Sequence, residues 1–304
     1  MSINTPILFL IFNRPVTTQR VFAEIRKAMP KKLFISSDGP RENKQGEHEK
    51  CQAVRDIIKQ VDWDCQVFTN FRDKNLGCKA AVSSGIEWFF ENVEEGIILE
   101  DDTLPHPTFF RFCEELLERY RDDERISIIS GDNFQFGRRR TSYSYYFSRY
   151  HHIWGWASWR RFWKHYDVDM KLWTEIRDGG WLNDLLGGNK ESVDFWMRAF
   201  EDVYQGRVDT WDYQLVFAAW VQGCLSIISN TNLVSNIGYG SDATRTTGES
   251  KFANMKTEPA TFPILHSPYI IRDSVADGIT EKDQFTSKPL PVLARAYKRL
   301  KGFK

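Results

Sequence analysis

Three consecutive carboxylates, Glu100-Asp101-Asp102, follow directly on the apolar run Gly96-Ile97-Ile98-Leu99. Like charges repel, so such a triplet is costly to gather unless a cation neutralises it. Hard divalent ions such as Mn²⁺ or Mg²⁺ prefer oxygen ligands together with phosphate. A solvated acidic turn, or an N-cap at Asp102 for the helix that follows, explains the triplet equally well. Two further carboxylates are candidates for moving a proton. Asp212 stands between Trp211 and Tyr213, an aromatic setting that raises a carboxylate's pKa toward useful basicity, although a place in the first turn of a helix also accounts for it. Asp194, in Val193-Asp194-Phe195-Trp196, is the competing base. Arg14 and Asp38 each lie just past an apolar run. A guanidinium fork matches phosphate and a carboxylate can read the N–H groups of a base; a surface ion pair and an Asx turn before Gly39 are the structural alternatives.

The elements that must position these groups can be read from hydrophobic period. Residues 6–12 form a continuous apolar run closed by Asn13-Arg14-Pro15, as expected of a strand buried on both faces of a parallel sheet. Residues 17–28 have helical spacing, residues 32–37 read as a second strand ended by Asp38-Gly39-Pro40, and residues 65–69 as a third. A helix over 80–90, a fourth strand over 96–99, an amphipathic helix over 107–120 and a fifth strand over 126–131 follow. This alternation predicts a doubly wound, mostly parallel sheet, whose ligands bind at the carboxyl ends of the strands. Arg14, Asp38 and the triplet then converge on one crevice. Asn75-Leu76-Gly77 can cap the helix that begins near Cys78. Trp154-Gly155-Trp156 reads as a turn presenting indole faces to a sugar, with core packing as the alternative.

Taken in order, Asn13-Arg14-Pro15, Ser37-Asp38-Gly39, Asn75-Leu76-Gly77, Glu100-Asp101-Asp102, Trp211-Asp212-Tyr213 and Ile237-Gly238-Tyr239-Gly240 resemble the GT-A glycosyltransferases. Within them the chain is similar to the group of N-acetylglucosaminyltransferase I and related bacterial sugar transferases. The resemblance implies an α/β fold of GT-A, Rossmann-like type: a mostly parallel sheet flanked by helices, with an elaborated C-terminal acceptor-side half. It also implies inverting transfer from a nucleotide-sugar donor, a UDP-sugar, to a glycan or lipid-linked saccharide in surface polysaccharide synthesis. On this reading Asp102 binds Mn²⁺ or Mg²⁺, while Glu100 and Asp101 face ribose, sugar or bound water. Asp38 accepts from the base, Arg14 lies by the nucleotide or its diphosphate, and Asn75 and Gly77 lie by the nucleoside. Asp212 is the base, preferred to Asp194 for its spacing to Gly238. Many members place a metal-binding histidine in the late loop; this chain has Arg245, which could neutralise phosphate instead.

Two other classes compete. A sugar nucleotidyltransferase could share the sheet, but no glycine-rich, lysine-bearing phosphate loop stands near residue 14. A catalytically silent carbohydrate-binding or scaffolding protein is the other. Lysine plus arginine number 41, as do aspartate plus glutamate, so the charge balance gives no sign of a nucleic-acid binder. The five cysteines lack metal spacing and their odd count argues against a disulfide framework. With no signal-like N-terminal run, the expected location is cytoplasmic. The expected organisation is a nucleotide-sugar half over residues 1–134, an acceptor and catalytic half over 135–286, and a basic tail over 287–304 that could rest on the inner face of a membrane.

Overall fold

The computed structural model describes residues 2–239 and 250–285. Arg245 and the basic tail lie outside the described residues. Strands β1 (Ile7–Ile11), β2 (Lys32–Ser37), β3 (Gln66–Phe71) and β4 (Glu95–Glu100) alternate with helices α1 (Pro15–Ala28), α2 (Glu47–Arg55) and α3 (Gly77–Asn92). There follow β5 (Thr103–Pro105), α4 (Thr108–Arg119), β6 (Ile126–Ser130), β7 (Tyr145–Ser148) and β8 (Trp156–Trp159). Three short helices, α5 (Arg160–Trp163), α6 (Trp173–Asp178) and α7 (Trp181–Leu185), lead to the longer α8 (Lys190–Tyr204) and α9 (Asp212–Val221). Strands β9 (Leu225–Ser229) and β10 (Val234–Asn236) and helix α10 (Ser274–Gln284) complete the described elements.

An eight-stranded sheet of order β3-β2-β1-β4-β8-β6-β9-β7 forms the centre. Strands β7 and β8 run against the rest, so the sheet is mostly parallel. The fold is Rossmann-like, as expected, with helices on both faces. Both halves of the chain supply strands to this one sheet. On one face Phe9, Ile97 and Leu99 pack against Val21, Phe22 and Ile25 of α1 and Phe109, Phe112 and Leu116 of α4. On the other, Leu8, Leu10 and Ile98 pack against Ile86, Phe89 and Phe90 of α3 and Leu215 and Ala219 of α9. A third cluster, built on Trp173, Trp196, Phe200 and Phe217, joins α6, α8 and α9.

Pro15 opens α1 at a position whose N–H needs no partner, so the chain turns from strand to helix within three residues of β1. That abrupt turn leaves Arg14 at the carboxyl edge. Strands β5 and β10 pair antiparallel, Asn236 opposite Thr103. The Ile237 N–H donates to the Asp102 carbonyl at 2.8 Å, so the chain after β10 folds back over the acidic triplet.

Strand β8 was not expected. Its four residues, Trp156-Ala157-Ser158-Trp159, lie between β4 and β6, and all are buried. The expectation that Trp156 stacks on a sugar is therefore corrected: its ring is wholly inside, 5.9 Å from Trp211 and 6.5 Å from Trp163 between ring centroids. None of the five cysteines forms a disulfide, and among the described residues no helix is long and apolar enough to cross a membrane.

Trp156→Ala should lower the unfolding free energy by about 3–5 kcal/mol through lost burial and an unfilled cavity. Urea denaturation checks this, and a change under about 1 kcal/mol would be that of a surface ring.

Candidate functional site

The carboxyl end of β4 is the most highly charged part of the sheet edge. Arg14 reaches back from the start of α1, placing Nη2 2.5 Å from Asp101 Oδ1 and Nη1 2.7 Å from Asp102 Oδ2. The Asp101 side chain is buried and its Oδ2 also accepts from the Phe12 N–H at 3.1 Å, so it ties β4 to the end of β1. Burial works to lower the Arg14 pKa, but Asp101 and Asp102 outweigh it and hold the guanidinium above its ordinary value. Arg14 thus bonds to two of the three acids and offsets part of their charge.

Three carboxylates share this one guanidinium. Burial, then the charges of Asp102 and Asp101, push Glu100 up to about 8, with Asp212 adding to the effect. Burial pushes Asp101 up to about 6 against the pull of Arg14. Among the described residues neither the Glu100 carboxylate nor Asp102 Oδ1 accepts a hydrogen bond. The surplus negative charge and these unclaimed oxygens fit a hard divalent cation that takes its other ligands from phosphate and water. They do not make a closed centre: among the described residues no three His, Cys, Asp or Glu side chains group as ligands.

Gly238 closes the site from above. A Cβ there would strike Asp102 Oδ2 and lie 2.7 Å from Arg14 Nη1, so only glycine lets the backbone pass.

Asp38 departs from expectation. Its Oδ1 accepts from the N–H groups of Gly39 and Leu76, both at 2.9 Å; its Oδ2 accepts from Asn75 Nδ2 at 2.8 Å and Gly77 N at 3.2 Å. With both oxygens occupied, the carboxylate clamps the loop before α3 to the end of β2 and is not free to read a base. Asn75 likewise serves the clamp, donating to Asp38 and to the Gly39 carbonyl at 2.9 Å, and does not cap α3. Gly77 has φ +81°, the left-handed conformation that begins the helix.

The cap of α3 is Asp209, 131 residues along the chain, which the sequence reading missed. It accepts from Cys78 N at 3.0 Å and Lys79 N at 3.1 Å. No local pattern signals a cap supplied from another part of the chain. Asp209 also fixes the approach to α9, where Asp212 is the first residue. Asp212 Oδ1 accepts from Tyr213 N at 3.0 Å and from the Thr210 hydroxyl, and its charge is felt at Glu100. Asp212 thus lies close enough for its charge to reach Glu100. Asp194 is not brought there: on α8, half exposed, it pairs with Lys190 at 2.9 Å.

Trp154, partly buried, meets Tyr239 edge-on at 6.0 Å and Phe134 at 5.1 Å between centroids. Gly155 has φ +69°, and the Gly131 N–H donates to its carbonyl at 2.8 Å. Trp154 therefore stays at the sheet edge while Trp156 enters the core.

In class the chain is a Rossmann-like α/β protein with a cluster of charged side chains at the carboxyl edge of its sheet. No family model matches it, and no curated protein does. Among solved structures it is similar to HddC from Yersinia pseudotuberculosis, with a TM-score of 0.33 at 9% identity over 53% of this chain and 80% of that one. A UDP-glucose pyrophosphorylase complexed with UDP-glucose gives 0.32 at 11% over 54% and 79%. An apo UDP-glucose pyrophosphorylase gives 0.38 at 10% over 75% and 90%. Likenesses this slight carry no argument about chemistry.

The raised Glu100 pKa fixes a sign. In chelator-treated protein the folded state holds a proton on Glu100 that the unfolded chain releases near its ordinary 4.5, so stability falls as pH rises from there to about 8. Glu100→Gln should flatten that fall, read as urea midpoints at pH ~5 and ~8; an equally steep fall in the variant would place the titration elsewhere. Gly238→Ala should sharply weaken any Mn²⁺ binding seen by calorimetry, because the methyl group displaces Asp102.

Proposed function

We propose that the chain is a metal-dependent glycosyltransferase that moves a sugar, with inversion, from a nucleotide-diphosphate donor such as a UDP-sugar to a hydroxyl of a glycan or lipid-linked saccharide. The observation that carries this reading is Asp212, placed by α9 within electrostatic reach of Glu100 although 112 residues separate them in the chain. In transfer, an acceptor oxygen forms a bond to the anomeric carbon as the bond to the diphosphate breaks, and the electron pair departs with the diphosphate. Asp212, whose Oδ2 has no hydrogen bond among the described residues, takes the acceptor proton. Asp102, with Glu100 beside it, would hold Mn²⁺ or Mg²⁺, which when bound neutralises charge on the leaving diphosphate. Arg14 keeps the carboxylates gathered and oriented, and Arg245 is assigned to the phosphates. Asn13-Arg14-Pro15 passes directly into α1 with no glycine-rich loop, which favours this reading over a nucleotidyltransferase.

Purified protein with Mn²⁺ should release UDP from at least one UDP-sugar in a donor panel. Asp212→Asn should cut turnover by about 100-fold or more, the usual scale for a general base, with UDP affinity unchanged. Asp102→Ala should abolish Mn²⁺-dependent UDP binding. Formation of UTP and sugar 1-phosphate from UDP-sugar and pyrophosphate would instead establish the nucleotidyltransferase reading.

A further inference from the structure

Asp132 is a buried acid that the chemistry above does not use. It follows Ser130-Gly131 at the carboxyl end of β6 and is 1% exposed. Among the described residues neither of its oxygens makes a hydrogen bond. The N–H groups of Asp132 and Trp154 lie near enough to favour the anion, but burial outweighs them and holds the pKa well above the carboxylate range. Four other buried acids have partners: Asp101 has Arg14, Glu47 has Arg41, Glu281 has Arg149 and Asp277 has Ser148. A buried carboxylate without a partner is a liability that proteins rarely keep.

Its position is set by strand register. Trp156 of β8 lies opposite both Ile98 of β4 and Ser130 of β6. The Gly131–Gly155 hydrogen bond carries the pairing of β6 with β8 one residue beyond the strands. Ile98 and Ser130 are two strand spacings apart, about 10 Å, and Glu100 and Asp132 each follow two residues later at the same edge, a separation that one sugar ring with a hydrogen bond at either side would span. A Cβ on Gly131 would meet Val234 and Phe109, so alternation turns Asp132 to the opposite face, the one that carries Trp156, Trp211 and α9. Tyr239, edge-on to Trp154, feels the charges of both Asp102 and Asp132.

We propose that Asp132 is the specificity-determining residue of the donor-sugar subsite, its two oxygens accepting hydrogen bonds from neighbouring ring hydroxyls while the diphosphate lies at Asp102. This rests on the glycosyltransferase reading. Among the described residues the carboxylate lacks a partner, and the sugar supplies the donors. A site that holds a hydroxyl in this way discriminates strongly against a donor lacking it, since deoxygenation again leaves the acceptor unpaired.

The test uses full-length wild type, Asp132→Asn and Asp132→Leu, with Mn²⁺, UDP, the UDP-hexose that wild type hydrolyses fastest, and its monodeoxy analogues. Both variants should be more stable than wild type without ligand, because an unpaired buried acid has gone, and should bind UDP as wild type does. Each should bind the UDP-hexose about 10- to 100-fold more weakly than wild type, and the penalty that wild type imposes on one or two deoxy analogues should vanish. Wild-type hexose affinity and deoxy discrimination in Asp132→Asn would overturn this inference and leave the glycosyltransferase reading standing. So would a variant that loses only transfer to the acceptor. Failure of wild type to bind UDP with Mn²⁺ would overturn both.

Discussion

Three carboxylates at the end of β4 must be held together against their own repulsion, and this constraint organises the surrounding structure. Among the described residues Arg14 is the one guanidinium that bonds to Asp101 and Asp102, and it is there because α1 begins within three residues of β1. An ion pair this far removed from water differs from a surface pair. Removing one partner of such a pair typically costs about 3–5 kcal/mol, whereas an exposed pair contributes about 0–1 kcal/mol. The compensation is deliberately incomplete in charge: one cation against three acids leaves Glu100 high in pKa and Asp102 with an unclaimed oxygen. A site satisfied entirely from within the protein would have no need of an added cation.

The same edge is tied together by acids that act on backbone N–H groups. Asp38 fastens the loop over residues 75–77 to β2; that loop opens α3; α3 is capped by Asp209; and Asp209 precedes Thr210, whose hydroxyl bonds to Asp212. Each link is a short carboxylate contact, so the position of Asp212 is referred to the central strands through a sequence of fixed geometries. Two of the acids in this line, Asp38 and Asp209, place other groups and touch no reacting atom. The aromatic stack of Trp156 on Trp211 fixes the same segment from beneath.

The first half of the fold could be read from sequence because its strands are continuous apolar runs and its helices keep a 3.6-residue period. Ile7-Leu8-Phe9-Leu10-Ile11 is a buried parallel strand in pattern and in fact. Strand β8 escaped notice because four residues with two tryptophans, preceded by a glycine, have no period to detect, and burial on both faces removes the alternation that marks a half-exposed strand. At the site, sequence order indicated which acids lie at strand ends, but it could not say which acids are already engaged. Asp38 and Asp194 look as available as Asp212 in one dimension. Their partners, Leu76 and Gly77 for the first and Lys190 for the second, are settled only by folding.

Asp132 shows the converse. In sequence, Ser130-Gly131-Asp132-Asn133 is an ordinary turn after a strand, and the acid stands out only when its burial and lack of partners are known. Its neighbour Asn133 is engaged throughout, accepting from Gln135 N at 2.7 Å and donating to the Ser229 carbonyl at 2.6 Å. The loop is therefore fixed by Asn133, and Asp132 contributes nothing to holding it. The burial of Asp132 is a cost that nothing among the described residues offsets and that the proposed sugar contact would. The charged end of β4 and the unpartnered end of β6 are then two halves of the proposed arrangement: carboxylates short of positive charge at one and an acceptor short of donors at the other, needs that the cation-bearing phosphates and the hydroxyls of a sugar diphosphate would meet.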